Sequence, residues 1–202
     1  MDDDALGREG SALDMPDADV RFYPSFFDES EAARLLAELT QTIPWRQDQI
    51  RLFGRFVDQP RLTAWHGDPG CRYTYSGMTM QPLAWTPELL KIKQRIEPVA
   101  GVVFNSVLLN YYRSERDSMG WHSDDEKELG ENPVIASVNL GATRRFHFKH
   151  KSLKEQRVAL DLTAGSLLIM AGPTQHFWLH QLPKSSRSLG PRINLTFRFI
   201  KT

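Results

Sequence analysis

The C-terminal half of the chain consists of short apolar or alternating segments separated by turn residues, which is the pattern of closely spaced β-strands. The predicted strands cover residues 107–112, 134–140, 144–149, 158–162, 167–171, 177–182 and 192–199. Strands this short and this close together predict a sandwich or an open barrel.

The N-terminal half contains two helical patterns. Residues 28–31 resemble a capping box, and apolar residues then recur at helical spacing until Pro44. A second helix is predicted after Thr86, where a capping residue precedes Pro87 and an apolar stripe follows. We expect both helices to pack outside one sheet. The aromatic, polar and turn-rich segment between them, residues 49–80, is of the kind that carries function.

The last predicted strand has two chemically different faces. Ile193, Leu195, Phe197 and Phe199 form an apolar face, and Arg192, Asn194, Thr196 and Arg198 form a polar one. A guanidinium group is costly to bury unless a carboxylate or phosphate meets it. The strand is therefore either an edge strand with its polar face in water or part of an anion site.

Charge and length divide the chain unevenly. The 202 residues carry no formal net charge, but residues 1–19 contain seven acidic residues and one basic residue, Arg8. We expect residues 1–19 to be a disordered acidic tail and residues 20–202 to form a single domain. The mildly basic remainder is compatible with a nucleic-acid partner but does not require one.

The sequence also indicates in which cellular compartment the protein is expected. Cys71 is the only cysteine, which excludes a disulfide within the chain and a cysteine-built zinc site. It contains no apolar run of bilayer length and no signal-peptide pattern. We expect an intracellular protein, cytoplasmic or nuclear, with no membrane partner, and we expect a monomer.

Candidate metal ligands lie within and between the predicted strands. His122 and Asp124 are two residues apart, so they point the same way in an extended backbone, and His176 or His180 offers a third ligand. Spacing does not choose between these two histidines. Two histidines and one carboxylate on one face of an ion are typical of non-haem iron(II) oxygenases, whereas a zinc hydrolase and a surface coincidence are alternatives.

Four motifs in this half together resemble the AlkB family of iron(II)- and 2-oxoglutarate-dependent dioxygenases. They are Asn-Tyr-Tyr at 110–112, His-Ser-Asp-Asp-Glu at 122–126, His-Gln-Leu-Pro at 180–183 and Arg-Ile-Asn-Leu-Thr-Phe-Arg at 192–198. Similarity to the duplex-DNA-repair members extends upstream through Phe53-Gly54, residues 73–77 and Trp85. The resemblance implies a mostly β fold with flanking helices and a double-stranded β-helix (jelly-roll) core. Residues 20–105 would hold the helices and a nucleotide-recognition segment, and residues 106–202 the catalytic jelly roll.

The resemblance also implies roles for the residues of these motifs. His122, Asp124 and His180 would be the catalytic Fe(II) ligands, which leaves His176 as a structural residue or one just outside the metal ligands. Arg198 would pair with the metal-side carboxylate of 2-oxoglutarate and Arg192 with the far one, and O₂ would be the oxidant. The residues expected to help Arg192 are Asn110, Tyr112 and Asn194.

Substrate contacts are implied in the same way. Leu52, Phe53 and Gly54 would form a finger that enters duplex DNA, and Tyr73 lies in the same recognition segment as Tyr75. Tyr75 and His122 would sandwich a flipped base, with Glu126 near its exocyclic nitrogen. Tyr75 stands where the duplex-repair relatives carry phenylalanine, so its hydroxyl needs a partner.

A run of basic residues begins on the predicted strand at 144–149 and continues beyond it. Its members are Arg144, Arg145, Lys149, Lys151, Lys154 and Arg157, with Glu155 as the one acid. Arg145, His147 and Lys149 share one strand face, so Arg145 and Lys149 are candidate contacts to a phosphate backbone.

The function implied is oxidative demethylation of N-alkylated bases in DNA, of the 1-methyladenine and 3-methylcytosine type. Formaldehyde would be released and 2-oxoglutarate decarboxylated to succinate. Alkylated DNA is the expected partner, with RNA as a second candidate. The alternatives are an oxygenase acting on RNA or protein, and a nucleic-acid-binding module without catalysis.

Overall fold

The computed structural model describes residues 10–201 except 53, 72, 76 and 77, and for residues 51, 52, 73–75 and 78–80 it describes the backbone alone. Of the helices in this part of the chain, none combines the length and the apolar content that a membrane crossing requires.

Both predicted helices form where their capping residues place them. Helix α1 spans Glu29–Thr42, and Asp28 Oδ1 accepts a hydrogen bond from the Glu31 backbone N–H at 2.8 Å. Helix α2 spans Pro87–Ala100, and Thr86 Oγ1 accepts from the Leu89 N–H at 3.3 Å. These bonds satisfy N–H groups that have no partner within the helix.

Two antiparallel sheets form the body of the fold. The larger sheet has the spatial order β1 (Ser11–Ala12), β2 (Asp19–Tyr23), β13 (Leu167–Ala171), β10 (Ile135–Gly141), β15 (Arg192–Arg198), β8 (Ser106–Tyr112) and β5 (Leu62–Gly67). The smaller sheet has the order β12 (Arg157–Leu162), β11 (Arg144–His150), β14 (Trp178–Leu182) and β9 (Met119–His122). Two further hairpins are β3 (Gln49–Leu52) with β4 (Arg55–Asp58), and β6 (Tyr73–Tyr75) with β7 (Met78–Met80). A short helix α3 (Thr174–Phe177) precedes β14.

Apolar side chains pack on both faces of the larger sheet. On its outer face, Leu35 and Leu39 of α1 and Ile92 of α2 share a buried cluster with Val138 of β10 and Leu195 of β15. On the inner face, residues of β2, β10 and β13 pack against the smaller sheet, as Phe148, Leu162 and Trp178 show. The predicted fold class, mostly β with helices outside one sheet, is confirmed.

The polar face of β15 lies inside the protein. This strand pairs with β10 on one side and β8 on the other, so it is not an edge strand. Arg192 is 2% exposed, and Asn194 and Thr196 are buried as well. The edge-strand interpretation is therefore excluded. Phe199, assigned by parity to the apolar face, follows the end of the strand and is exposed.

The expected acidic tail is shorter than 19 residues. Ser11–Ala12 pairs with β2, Met15 is buried, and Trp178 Nε1 donates to the Pro16 carbonyl at 2.8 Å. Acidic composition pointed to disorder, but three apolar side chains between the acids, Leu13, Met15 and Ala18, pack on the inner core. Residues 1–9 lie outside the described part of the chain.

Candidate active site

Three of the predicted ligands lie close together in the structure. His122 ends β9 and pairs across the sheet with His180 of β14, and Asp124 follows two residues later. Their ligand atoms all lie within 4.8 Å of one another. The two Nε2 atoms are 3.1 Å apart, and Asp124 Oδ2 is 3.9 Å from His180 Nε2. This spacing is that of donors arranged around one ion.

Both histidines are arranged to bind a metal through Nε2. His122 Nδ1 lies 2.9 Å from the Gly120 carbonyl oxygen, so Nδ1 is the donor and Nε2 is the atom that lies beside His180 Nε2. Burial, and then the neighbouring His122, lower the pKa of His180 to about 3. The His180 ring is therefore neutral at physiological pH, as a metal ligand must be.

Asp124 is held from two directions. Arg198 Nη2 donates to Oδ1 at 2.8 Å, and the Asp124 backbone N–H donates to Gln175 Oε1 at 2.9 Å. Burial alone would raise the pKa of Asp124, but Arg198 and the two histidines outweigh it and lower the pKa below its ordinary value. The carboxylate is thus ionised and fixed in orientation. Gln175 was not predicted, because nothing in the sequence links it to a residue 51 positions earlier.

His176 takes no part in this cluster. It lies exposed on α3, where the backbone is helical, so the strand parity expected to align it with His180 does not apply. Because it is exposed, His176 is not a core residue.

A small cavity on one side of the cluster collects the residues expected to hold 2-oxoglutarate. Asn110, Tyr112, Arg192, Asn194 and Arg198 all line it. The Arg192 guanidinium lies 5.1 Å from the centre of the Tyr112 ring and donates through Nη2 to Asn139 Oδ1. Asn139 was missed by sequence reasoning; it faces Asn194 directly across β10 and β15.

The residues of this cavity fit a dicarboxylate. Arg192 Nε is buried and has no hydrogen-bond partner among the described residues. Burial lowers the pKa of Arg192 to about 10, so the group is still cationic at neutral pH. A buried cationic donor without an acceptor is a costly arrangement that a carboxylate would relieve.

A second cavity, of about 190 Å³, lies on the other side of the cluster. Leu108, Met119, His122, Asp124 and Arg198 line both cavities and so form a shared wall. Glu126, expected near a substrate base, lines this second cavity. So do Gln59, Arg61 and Thr63, which sequence reasoning missed because they precede or begin β5, a strand that was not predicted. We call it the outer cavity.

The recognition segment is described in part. Gly54, with φ of 82°, turns the chain between β3 and β4 and is exposed. Leu52, Tyr73 and Tyr75 lie on hairpin strands by their backbone, and their expected contacts stay predictions. Phe53 lies outside the described residues.

The basic run divides into exposed and buried members. Arg145 is exposed and forms an ion pair with Asp161 at 3.3 Å, and Lys149 Nζ lies 4.3 Å from the centre of the Trp121 ring. Arg144, by contrast, is 2% exposed. It donates to the carbonyls of Ser114, Asp117 and Pro183, so this member of the basic run is not available to a phosphate backbone.

Known proteins with a similar sequence or fold include iron- and 2-oxoglutarate-dependent oxygenases. Residues 19–198 match the 2OG-Fe(II) oxygenase superfamily, which is a class defined by its use of iron and 2-oxoglutarate. The solved structure of OsALKBH1 shares the fold, with a TM-score of 0.64 at 15% identity, and the match covers 95% of this chain and 100% of that one.

Curated relatives identify the family within this oxygenase superfamily to which the chain belongs. The chain is 46% identical over 190 residues to the human alpha-ketoglutarate-dependent dioxygenase alkB homolog 3, covering 90% of this chain and 66% of the relative. It is 40% identical over 188 residues to the human DNA oxidative demethylase ALKBH2, covering 88% and 72%. The chain belongs to the AlkB family of 2OG-Fe(II) oxygenases. It spans about two thirds of the length of the alkB homolog 3 proteins. Fe(II) and 2-oxoglutarate are its cofactor and cosubstrate, and the cluster of His122, Asp124 and His180 is consistent with both.

Proposed function

We propose that this chain oxidatively demethylates N-alkylated bases in DNA, of the 1-methyladenine and 3-methylcytosine type. One atom of O₂ enters succinate as 2-oxoglutarate loses CO₂, and the other enters the methyl group, which leaves as formaldehyde. The observation that carries this proposal is the cluster of His122, Asp124 and His180, because His122 and Asp124 line two cavities, one with Arg192 on its wall and one with Glu126.

Each part of the cluster has a distinct role in this proposal. His122, Asp124 and His180 would hold Fe(II), which with 2-oxoglutarate and O₂ supplies the oxidising chemistry. Arg192 and Tyr112 would hold the far carboxylate, with Asn110 and Asn194 completing the wall of that cavity. Arg198 would hold the metal-side carboxylate while its bond to Asp124 keeps that ligand in place.

The outer cavity would receive the base. A stacked base cannot reach the cluster, so the nucleotide must leave the helix, at a cost of a few kcal/mol. Methylation of adenine at N1 or of cytosine at N3 gives a cationic base, and the carboxylate of Glu126 in this cavity favours a cation. Tyr75 and His122 would stack on the base. On the surface, Arg145 and Lys149 would contact phosphates.

One experiment tests this function. An oligonucleotide carrying 1-methyladenine is incubated with the protein, Fe(II), 2-oxoglutarate and ascorbate, and its mass is measured. We expect loss of one methylene unit, with formaldehyde and succinate in equal amounts. Turnover without added 2-oxoglutarate would point to hydrolysis, and 2-oxoglutarate binding without turnover to a binding module. Faster turnover of matched methylated RNA or of a methylated peptide would reassign the substrate.

A further inference from the structure

Gln59 lies on the wall of the outer cavity and is held firmly by its backbone. It directly follows β4, is 4% exposed, and lines the cavity that also contains Glu126. Its N–H donates to the Asp48 carbonyl at 2.8 Å, and its own carbonyl accepts from Arg61 N at 2.8 Å and from Gln47 Nε2 at 2.9 Å. These three bonds fix the point from which the side chain extends.

The side chain of Gln59 has an unused acceptor. Its Oε1 atom is buried, and within the described part of the chain it has no hydrogen-bond partner. Buried polar atoms in folded proteins nearly always have a partner, so an unpartnered atom in a side chain that lines a cavity points to a group that arrives with a ligand. The missing partner must be a donor if the amide oxygen keeps this position.

The polar neighbours of Gln59 favour the same kind of ligand group. Glu126 lines the cavity too, and an ionised carboxylate can only accept hydrogen bonds. Two donors on the same wall have partners within the protein: Arg61 Nε donates to Asn110 Oδ1 at 2.8 Å, and the Thr63 hydroxyl donates to Asp48 Oδ2 at 2.7 Å. Gln59 and Glu126 are thus two acceptor-bearing side chains on the wall of the cavity where a base would enter.

We infer that Gln59 accepts a hydrogen bond from the exocyclic amino group of the damaged base. This inference rests on the proposed demethylase function and adds a specificity residue to it. Gln59 and Glu126 together would select methylated bases with an exocyclic amino group, such as 3-methylcytosine and 1-methyladenine. Bases with a carbonyl at that position, such as 3-methyluracil and 1-methylguanine, present an acceptor to two acceptors and would be disfavoured.

The test compares two lesions that differ at this group. Single-stranded oligonucleotides carrying either 3-methylcytosine or 3-methyluracil are demethylated by the wild type, Gln59→Leu and Gln59→Glu, and kcat/KM is measured for each. Gln59→Leu should lower kcat/KM for 3-methylcytosine about five- to tenfold, which is the loss expected for one hydrogen bond. It should leave kcat/KM for 3-methyluracil unchanged or raise it, because one opposing acceptor is removed. Gln59→Glu keeps an acceptor, so it should retain 3-methylcytosine turnover and lower that of 3-methyluracil further.

The control is Gln41→Leu, the same substitution on the exposed face of α1, which should alter neither lesion. Melting temperatures of all variants are compared to identify a folding defect. Equal losses on both lesions in Gln59→Leu, with a wild type that demethylates, would overturn the role of Gln59 and leave the proposed function standing. A wild type that demethylates neither lesion would overturn both.

Discussion

Arg192 is a buried cation whose nearest partners are an amide and an aromatic ring. Asn139 Oδ1 accepts one of its hydrogen bonds, and the Tyr112 ring lies against its guanidinium. Neither partner neutralises the charge, so the side chain is oriented but not paired. This arrangement suits a group that must bind and release a carboxylate in each turnover.

Replacement of Arg192 by lysine keeps the charge and removes the planar fork. We expect the KM for 2-oxoglutarate to rise about ten- to a hundredfold, since a charge-assisted bidentate contact contributes roughly 1.5–3 kcal/mol. Succinate formation at varied 2-oxoglutarate concentration measures the effect. Arg34→Lys, on the exposed face of α1, is the matched control. An unchanged KM in Arg192→Lys would remove the cosubstrate role of this residue.

His180 and His176 allow a direct comparison of two nearby histidines. His180→Ala removes a proposed ligand and should lower Fe(II) affinity and turnover by at least about tenfold, the size of effect seen even when only the groups supporting a ligand are lost. His176→Ala changes an exposed residue and should leave both nearly unchanged. Metal titration of the two variants gives the answer, and metal affinity that follows His176 would contradict the ligand assignment.

Among single residues, the sequence predicted those that belong to recognisable motifs. It did not predict residues outside the motifs that contact the site in the folded protein. The resemblance identified His180 as the third ligand, which residue spacing alone did not do. The structure explains the difference between the two histidines, because His176 lies in the short helix at residues 174–177 and His180 lies on a strand. Gln59, Asn139 and Gln175 were missed. Each meets the site through a fold-dependent contact, and an isolated Gln or Asn in a sequence gives no sign of such a contact.

Among the elements, the β3–β4 hairpin has the clearest functional prediction. It emerges beside the outer cavity, whose wall includes Asp48 and Gln59 at its two ends, and Phe56 on β4 is 72% exposed. An exposed aromatic on a two-stranded hairpin has no packing role, which is consistent with a hairpin that contacts a partner.

Phe53→Ala should lower activity on methylated duplex DNA roughly ten- to a hundredfold and largely spare single strands. The reason is that an inserted ring recovers about 1–3 kcal/mol of stacking when a base leaves the helix. Demethylation of matched duplex and single-stranded oligonucleotides measures this effect. Phe56→Ala on the same hairpin is the comparison: a duplex-specific loss there and not at Phe53 would assign the wedge to Phe56. Equal losses on both substrates would indicate a folding role.

Strands with a strong apolar or alternating pattern were predicted, whereas strands without one, such as β5 and β9, were not. The interior strands β8, β10, β13 and β15 are continuous apolar or alternating runs, and the predicted bounds differ from the observed ones by at most one residue. Strands β5 and β9 lie at the edges of their sheets. Residues 62–67 fall within an aromatic, turn-rich stretch, and Met119–His122 contains a glycine, so local pattern did not distinguish either from a loop.

For the whole molecule, Arg144 joins segments that carry the metal ligands. From β11 it donates to carbonyls of Ser114 and Asp117, which precede β9, and of Pro183, which follows β14. Strand β9 ends in His122 and strand β14 contains His180. One guanidinium therefore ties together the loops on both sides of the site.

Arg144→Met should lower the free energy of unfolding by about 2–4 kcal/mol, because it leaves buried carbonyl groups without donors. Urea denaturation measures the change. The adjacent Arg145→Met is the matched control, since Arg145 is exposed and its surface ion pair contributes roughly 0–1 kcal/mol. Similar losses in both variants would contradict the difference in burial between them.

Stability should also depend on pH through His66. Burial lowers the pKa of His66 below its ordinary value of 6.5, against the opposing contact with the Ala84 carbonyl. The unfolded chain therefore binds this proton first as pH falls below about 6.5, and the folded state loses stability between that pH and the lower folded pKa. His66→Phe should flatten the pH dependence of unfolding below pH 6.5 by up to about 1.4 kcal/mol per pH unit. Urea denaturation of the metal-free protein at several pH values tests this, and an unchanged slope would contradict it.

The shared wall between the two cavities has a consequence for inhibitor chemistry. Since Leu108, Met119, His122, Asp124 and Arg198 border both cavities, a dicarboxylate bound at Arg192 as proposed would lie next to the outer cavity. A single compound that joins a 2-oxo acid analogue to a nucleobase-like ring would occupy both sites at once. Linking two weak ligands in this way raises affinity without new contacts, because the second binding event becomes intramolecular. Selectivity would come from the outer cavity, where the ring meets Gln59 and Glu126.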